Sequence, residues 1–144
     1  MIFIASDHAG VDLKLSIMRY LDGIGRDYED LGTDTLQSVD YPDFAHKLCN
    51  SVFENDIGIL ICGTGIGMSI TANRYEHIRC AVVVNEDMAT MTRKHNNANV
   101  IALGSRLIDE HTAINLINIF LNTEYESGRH ELRIMKINAN EIRE

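Results

Sequence analysis

The sequence predicts a doubly wound α/β fold built on a five-stranded parallel sheet. Short apolar runs alternate along the chain with segments whose apolar residues recur at helical spacing. The clearest run, residues 57–62, is too short for a buried helix and ends at glycines, which suits a strand covered on both faces. Strands that alternate with helices in this way form parallel sheets.

The first part of the chain predicts two strands and one helix. Residues 1–6 form an apolar run and predict the first strand. The apolar residues from Leu13 to Leu21 recur at helical spacing and predict a helix that ends near Gly23. Residues 26–31 are less apolar and predict a strand at the edge of the sheet.

A second helix is predicted after the polar loop 32–40. Pro42, the single proline, suits the first turn of a helix because its fixed backbone angle is already helical. His46 lies within this helix and is expected to be exposed. The apolar face of the helix would be supplied by Phe44, Leu48, Cys49 and Phe53.

The remaining elements complete a Rossmann-like sheet with helices on both faces. Glu86 and Asp87 suit the first turn of a helix, where acidic side chains are stabilised. The asparagines within 96–99 favour the turn that ends this helix. The predicted elements are a helix over 68–75, a strand over 79–84, a helix over 86–95, a strand over 100–103 and a helix over 109–121.

A last helix is predicted to begin at residues 128–133, and it has no strand left to cover. Its apolar residues are more easily explained if they pack on another subunit, so we expect a C-terminal helix that reaches the partner of a homodimer. These apolar residues are Leu132, Met135, Ile137 and Ile142.

Composition restricts the classes of function. The 144 residues are treated as one domain spanning 1–144, and their net charge of -8 disfavours binding to nucleic acid or to an anionic membrane. No run approaches the length of a membrane span, and no signal peptide is visible. Three cysteines without paired spacing predict neither a disulfide framework nor a zinc ribbon, so we expect a cytoplasmic protein.

The most informative stretch follows the strand over 57–62, where a glycine loop leads into a helix. Glycines at 63, 65 and 67 let a ligand approach the backbone closely, and their N–H groups would stabilise negative charge beside a helix N-terminus. Cys62 opens this loop and is either a small buried apolar residue or a candidate base or nucleophile.

The same loop could bind a dinucleotide, because Glu86 and Asp87 follow the next strand at about the distance of 20 residues that the dinucleotide fingerprint requires. The glycine spacing argues against this reading, since Met68 stands where the third fingerprint glycine belongs. The nucleotide-hydrolase phosphate loop is excluded because no Gly-Lys-Ser/Thr follows.

Other candidates lie at the carboxyl ends of predicted strands, where ligands bind in open α/β sheets. Asp7 could cap the first helix or contact a ligand, and His8 beside it favours a ligand site. Arg106 follows the last strand, and Arg129 and Arg133 share one helix face, so the three are either solvated surface charges or a phosphate clamp. His95 precedes a strand, so topology alone does not place it at this edge.

Six tracts together resemble the ribose-5-phosphate isomerase B family of sugar-phosphate isomerases, which includes galactose-6-phosphate isomerase subunits. They run from one end of the chain to the other in the order of that family. The tracts are SDHAG at 6–10, DYPD at 40–43, ICGTGIGMS at 61–69, HNNAN at 95–99, GSR at 104–106 and GRHELR at 128–133.

The resemblance implies an aldose-ketose isomerase of the pentose phosphate pathway that interconverts ribose 5-phosphate and ribulose 5-phosphate. It implies no metal and no organic cofactor, and a homodimer or tetramer whose sites lie between subunits. Some relatives lack the loop cysteine and carry a glutamate at the position of Met68. Methionine cannot serve as a base, so that role would fall on Cys62.

The resemblance also implies roles for individual residues. Cys62 would move the proton between C2 and C1, and His95, assisted by Asp7, would open the sugar ring, with Thr64 among the catalytic residues. His8, Arg106, Arg129 and Arg133 would hold the phosphate, part of this set coming from the partner. The remaining predicted substrate-binding residues are Tyr41, Gly63, Gly65, Ile66, Gly67 and Asn96.

Two alternatives stay open. The first is isomerisation of a six-carbon sugar phosphate such as allose 6-phosphate or galactose 6-phosphate, because the sequence does not reveal the depth of the pocket. The second is a nucleotide-binding or regulatory module that uses the glycine loop only to hold phosphate. This module would not need the thiol of Cys62.

Overall fold

The computed structural model describes residues 1–139, and residues 140–144, with Ile142 among them, lie outside the described part. Its elements follow the predicted alternation of strands and helices. They are β1 (Ile2–Ser6), α1 (Val11–Gly23), β2 (Tyr28–Asp30), α2 (Tyr41–Cys49), β3 (Ile57–Cys62), α3 (Ile66–Ala72), β4 (Cys80–Val82), α4 (Glu86–Lys94), β5 (Val100–Gly104), α5 (Glu110–Asn122) and α6 (Arg129–Met135).

The five strands form one parallel sheet in the order β2-β1-β3-β5-β4. The chain first moves from β1 to the edge strand β2, and then crosses back over β1 to reach β3. The strand order therefore reverses between β1 and β3. In doubly wound sheets the crevice at the carboxyl ends of two such strands is the usual ligand site.

Helices cover both faces of the sheet, as predicted. Along β3, Ile59 and Ile61 face one cluster of buried residues, and Leu60 and Cys62 face the other, which is the alternation of a strand buried on both sides. The first cluster packs the sheet against α1, α4 and α5, and the second packs it against α2 and α3.

Side-chain caps explain where several helices begin. The side chain of Asn85 accepts a hydrogen bond from the N–H of Met88 at the start of α4. The side chain of Asp109 does the same with Thr112 at the start of α5. Pro42 lies in the first turn of α2, as predicted, and His46 is exposed.

Two predictions of detail were wrong. Phe53 was assigned to the apolar face of α2, but this helix ends at Cys49 and the Phe53 side chain is 62% exposed. The helix after the glycine loop was expected over 68–75, whereas α3 begins at Ile66 and ends at Ala72. The earlier start places two loop residues in the first turn of the helix.

The apolar residues of α6 lie on the surface. Leu132 is 59% exposed and Met135 is 73% exposed, and Ile137, just after the helix, is 57% exposed. This agrees with the expectation that the sheet offers them no cover. Within residues 1–139, no helix is both long enough and apolar enough to cross a membrane.

Candidate active site

Cys62 lies at the carboxyl end of β3, at the point where the strand order reverses. Its side chain is 5% exposed, and the backbone N–H of Gly65 donates a hydrogen bond to its Sγ atom at 3.1 Å. Gly65 has a φ of 80°, a left-handed conformation that favours glycine, and it is the residue at which the loop turns into α3. The backbone of the glycine loop therefore contacts the sulfur of Cys62 directly.

The other glycines of the loop allow two side chains to approach its backbone. A Cβ atom on Gly63 would lie 2.8 Å from the guanidinium of Arg106, and one on Gly67 would lie 2.5 Å from the ring of Tyr41. Any larger residue would displace these groups. Arg106 and the 39% exposed Tyr41 therefore border the loop that Cys62 opens.

Asp7 and His8 follow β1 directly beside this loop. The N–H of Asp7 bonds to the carbonyl of Ile61 at 3.1 Å, and one oxygen of its buried carboxylate caps a short 3₁₀ turn by accepting the N–H of Ala9 at 3.0 Å. Asp7 therefore caps this turn and not α1 itself, whose N-cap residue is Gly10, and its second oxygen is left available to a substrate. The N–H of Val39 donates to Nδ1 of His8 at 3.1 Å, which assigns the proton of the neutral ring to Nε2.

The end of β5 completes this first cluster, which we name the thiol half-site: Asp7, His8, Tyr41, Cys62–Gly67 and Arg106. The N–H of Ser105 bonds to the carbonyl of Cys62 at 2.9 Å, and its hydroxyl donates to the carbonyl of Ala9 at 2.8 Å. Ser105 thus joins the loops after β1 and β3. Ser105 belongs to the GSR tract at 104–106, but no role was predicted for it from the sequence.

Thr64 and Ile66 are the exposed residues of the loop. The Thr64 hydroxyl accepts the N–H of Ile66 at 3.3 Å, which orients it at the start of α3. Met68, by contrast, is fully buried against the sheet. The side chain of residue 68 therefore points into the core, which agrees with the expectation that this methionine does not act as a base.

The other two cysteines are poor candidates for a base. Burial raises the pKa of the Cys49 thiol to about 12. Burial also raises the pKa of the Cys80 thiol to about 12, and Cys49 nearby adds to the shift. Both groups stay protonated near neutral pH, and neither lies at the carboxyl ends of the strands.

A second cluster, which we name the imidazole half-site, consists of His95, Asn96, Arg129 and Arg133. These residues line one surface pocket of about 360 Å³ together with His130. The His95 ring stacks on the ring of His130 with centroids 4.4 Å apart. His130 is buried, with Nε2 3.4 Å from a carboxylate oxygen of Glu126. Sequence reasoning assigned no role to His130 or Glu126.

The two half-sites lie at opposite ends of the strands: the thiol half-site at the carboxyl edge of the sheet and the imidazole half-site at the amino edge. Cys62 ends β3, whereas His95 ends α4 and lies just before β5 begins. The N–H of Gly58, near the start of β3, bonds to the carbonyl of Asn99 at 2.8 Å, which places the turn after His95 beside the amino end of that strand. A parallel strand rises about 3.3 Å per residue, so the rise from Gly58 to Cys62 along β3 separates these two ends of the sheet by roughly 13 Å. A single chain therefore does not bring Asp7 or Cys62 to His95.

Within residues 1–139, one group of side chains could hold a metal ion: His95, Glu126 and His130, whose ligand atoms lie within 4.8 Å of one another. The two rings are stacked at an interplanar angle of 16°. Nearly parallel stacked rings cannot both direct an in-plane lone pair at one ion, and the cationic Arg129 and Arg133 line the same pocket. The arrangement fits an anion better than a metal ion.

Comparison with known proteins identifies the family. Residues 2–137 match the model of the family described as Ribose/Galactose Isomerase. Ribose-5-phosphate isomerase B of Escherichia coli is 40% identical over 139 residues, which cover 95% of this chain and 93% of that protein.

Two solved structures resemble this one closely. A ribose 5-phosphate isomerase from Thermotoga maritima superposes with a TM-score of 0.93 at 51% identity, covering 96% of this chain and 97% of that one. Ribose-5-phosphate isomerase B from Mycoplasma genitalium, solved with bound ribulose 5-phosphate, gives a TM-score of 0.91 at 43% identity and covers 94% and 92%. The chain belongs to the ribose/galactose isomerase family.

Proposed function

We propose that the protein interconverts D-ribose 5-phosphate and D-ribulose 5-phosphate, in the non-oxidative branch of the pentose phosphate pathway, without a metal or an organic cofactor. The observation that carries this proposal is a thiol at the switch point of the sheet, hydrogen-bonded by a backbone N–H in a glycine loop. The similarity to an isomerase solved with ribulose 5-phosphate supports the choice of substrate.

Ring opening comes first in the proposed reaction. The imidazole of His95 takes the proton of the C1 hydroxyl, and the imidazolium so formed gives a proton to the ring oxygen. The bond from C1 to that oxygen breaks and an aldehyde forms. An imidazole can gain and lose a proton near neutral pH, which suits both transfers. The carboxylate of Asp7 assists by accepting a hydrogen bond from the sugar.

The isomerisation step uses the thiol half-site. The thiolate of Cys62 removes the proton from C2, and the electron pair moves to the C1 oxygen to give an enediolate. Backbone N–H groups of residues 63–67 stabilise the negative charge. The Thr64 hydroxyl passes a proton between the two oxygens, and Cys62 returns its proton to C1, which leaves a ketone at C2.

Cationic side chains hold the phosphate in this proposal. The protein carries a net charge of -8, so a phosphate dianion must be caught by a local group of positive charges. Arg106 offers such charge at the thiol half-site, where the Nε2–H of the neutral His8 ring can also donate a hydrogen bond. Arg129 and Arg133 offer positive charge at the imidazole half-site. Guanidinium groups match phosphate geometry well.

We further propose that the working enzyme is a homodimer, or a tetramer made of two such dimers, with each site assembled from two chains. The separation of the half-sites within one chain supports this arrangement, because both sets of residues must contact one small sugar. Exposed apolar side chains beside both half-sites are available for the interface: Ile66, Ile70 and Leu107 near the thiol, and Leu132, Met135 and Ile137 near the imidazole. The free thiols suit the reducing cytoplasm, where we place the enzyme.

The direct test is turnover of ribose 5-phosphate to ribulose 5-phosphate by purified protein treated with EDTA. We expect rapid turnover that added divalent ions do not increase, and slower turnover of allose 6-phosphate and galactose 6-phosphate. Faster turnover of a six-carbon sugar phosphate would show that this sugar, and not ribose 5-phosphate, is the preferred substrate. Absence of turnover with every sugar phosphate, combined with tight nucleotide binding, would favour a phosphate-binding module instead.

A further inference from the structure

Arg93, near the end of α4, donates hydrogen bonds to three groups in two separate parts of the surrounding structure. Its Nη1 donates to the carbonyl of Ala98 at 2.5 Å and to the side-chain oxygen of Asn97 at 3.2 Å. Its Nε donates to the carbonyl of Thr123 at 3.2 Å. One guanidinium therefore joins the turn after His95 to the segment that leads into α6.

Arg79, just before β4, holds the same turn from the other side. Its Nε donates to the backbone carbonyl of Asn97 at 2.9 Å. Its own carbonyl accepts the N–H groups of Asn99 at 3.1 Å and Val100 at 3.2 Å. Asn97 itself has a φ of 45°, a left-handed conformation that favours local rearrangement unless its surroundings fix it.

These two arginines have no acidic partner among the described residues. No carboxylate of residues 1–139 lies within 4.0 Å of either guanidinium. Burial lowers the pKa of both groups, and the charge of Arg79 lowers that of Arg93 further. Two like charges held half-buried against carbonyl oxygens are costly, so their contacts with the turn are a substantial part of what stabilises them.

The turn that the arginines hold carries two predicted site residues. His95 is the residue that ends α4, and Asn96 follows it directly. The N–H of Glu126 also bonds to the carbonyl of Lys94 at 3.1 Å, so the segment held by Arg93 at Thr123 packs against the same helix end. This segment brings the ring of His130 onto the ring of His95.

We propose that Arg93, together with Arg79, is a positioning residue that fixes the His95 imidazole for ring opening and does not contact the substrate. The proposal rests on the proposed function. It predicts that loss of Arg93 impairs the step that needs His95 more than the step that needs Cys62, because Cys62 lies at the opposite edge of the sheet. A displacement of about 1 Å at a reacting group can lower a rate about a hundredfold.

Ribulose 5-phosphate separates the two steps experimentally. Its C5 oxygen carries the phosphate, so the sugar cannot close a furanose ring and is already open. Exchange of its C1 proton with D₂O requires only proton removal by Cys62 and the return of a deuteron. Turnover of ribose 5-phosphate, which is mainly cyclic, requires ring opening as well.

The experiment compares wild-type protein with Arg93→Met, Arg93→Lys, Arg79→Met and the control Arg19→Met, which changes an exposed arginine on α1. At saturating substrate, we expect Arg93→Met to lower kcat for ribose 5-phosphate about tenfold to a hundredfold. Exchange at C1 of ribulose 5-phosphate should stay close to the wild-type rate. Arg93→Lys should recover part of the loss, and the control should behave as wild type.

Several outcomes would overturn the proposal. Equal loss of turnover and exchange in a folded variant would show a general structural role. Normal turnover in Arg93→Met would show that His95 needs no such support. If Arg93→Met does not fold, Arg93→Lys and Arg79→Met give the same comparison. Absence of both activities in the wild-type protein would instead contradict the proposed function.

Discussion

Replacement of Cys62 by alanine is expected to lower kcat for ribose 5-phosphate by about 10²- to 10⁴-fold, the usual contribution of a positioned acid or base. The methyl group of alanine cannot accept the C2 proton, and in the thiol half-site no other base lies at the sulfur position. KM should change little, because the phosphate contacts and the backbone donors of the loop remain. Steady-state kinetics with ribose 5-phosphate measure both constants.

Cys80→Ala is the matched control for this substitution. Cys80 is another buried cysteine, located in β4, and its burial raises the pKa of its thiol to about 12, so it cannot act as a base near neutral pH. This variant should keep the wild-type kcat even if the smaller side chain lowers its stability. Wild-type turnover by a folded Cys62→Ala protein would show that the reaction does not use the thiol of Cys62.

Replacement of Arg133 by alanine is expected to raise KM for ribose 5-phosphate about tenfold to a hundredfold. Hydrogen bonds to charged groups contribute about 1.5–3 kcal/mol, which corresponds to that range of affinity. Arg133 lines the imidazole half-site with Arg129, and its side chain is exposed for a phosphate to reach. The measurement is KM from initial rates over a wide range of substrate concentration.

Two comparisons make this test specific to phosphate. D-Ribose without its phosphate should be a poor substrate for both the wild-type protein and Arg133→Ala, with the same kcat/KM. Arg26→Ala, which changes an exposed arginine in the loop before β2, should leave KM for ribose 5-phosphate unaltered. An unchanged KM in Arg133→Ala would place the phosphate elsewhere.

The sheet could be predicted because its determinants are local. The run 57–62 contains only apolar residues and glycine before the loop, and the strand it predicted is β3. Phe53 was misplaced because apolar spacing continues past the point where α2 ends at Cys49, and spacing alone does not reveal that end.

The thiol half-site could be predicted because it follows from topology. Carboxyl ends of parallel strands meet at one edge, so Asp7, Cys62 and Arg106 had to lie near one another once three strands were identified. His95 lies at the amino ends of the strands, because a helix that follows a strand returns the chain to that side of the sheet. The stacked ring of His130 and the contacts of Arg93 depend on side-chain packing across distant segments, which no local pattern in the sequence reports.

The central claim is that one active site combines the thiol half-site of one chain with the imidazole half-site of another. It is tested most directly by mixing two inactive variants, Cys62→Ala and His95→Ala, under conditions in which subunits exchange. A hybrid dimer then contains one site with both residues intact and one site with neither. Half of a random equal mixture is hybrid, so about a quarter of the wild-type activity should return. No activity above the two parent variants, despite hybrids detected by native mass spectrometry, would contradict a site shared between chains.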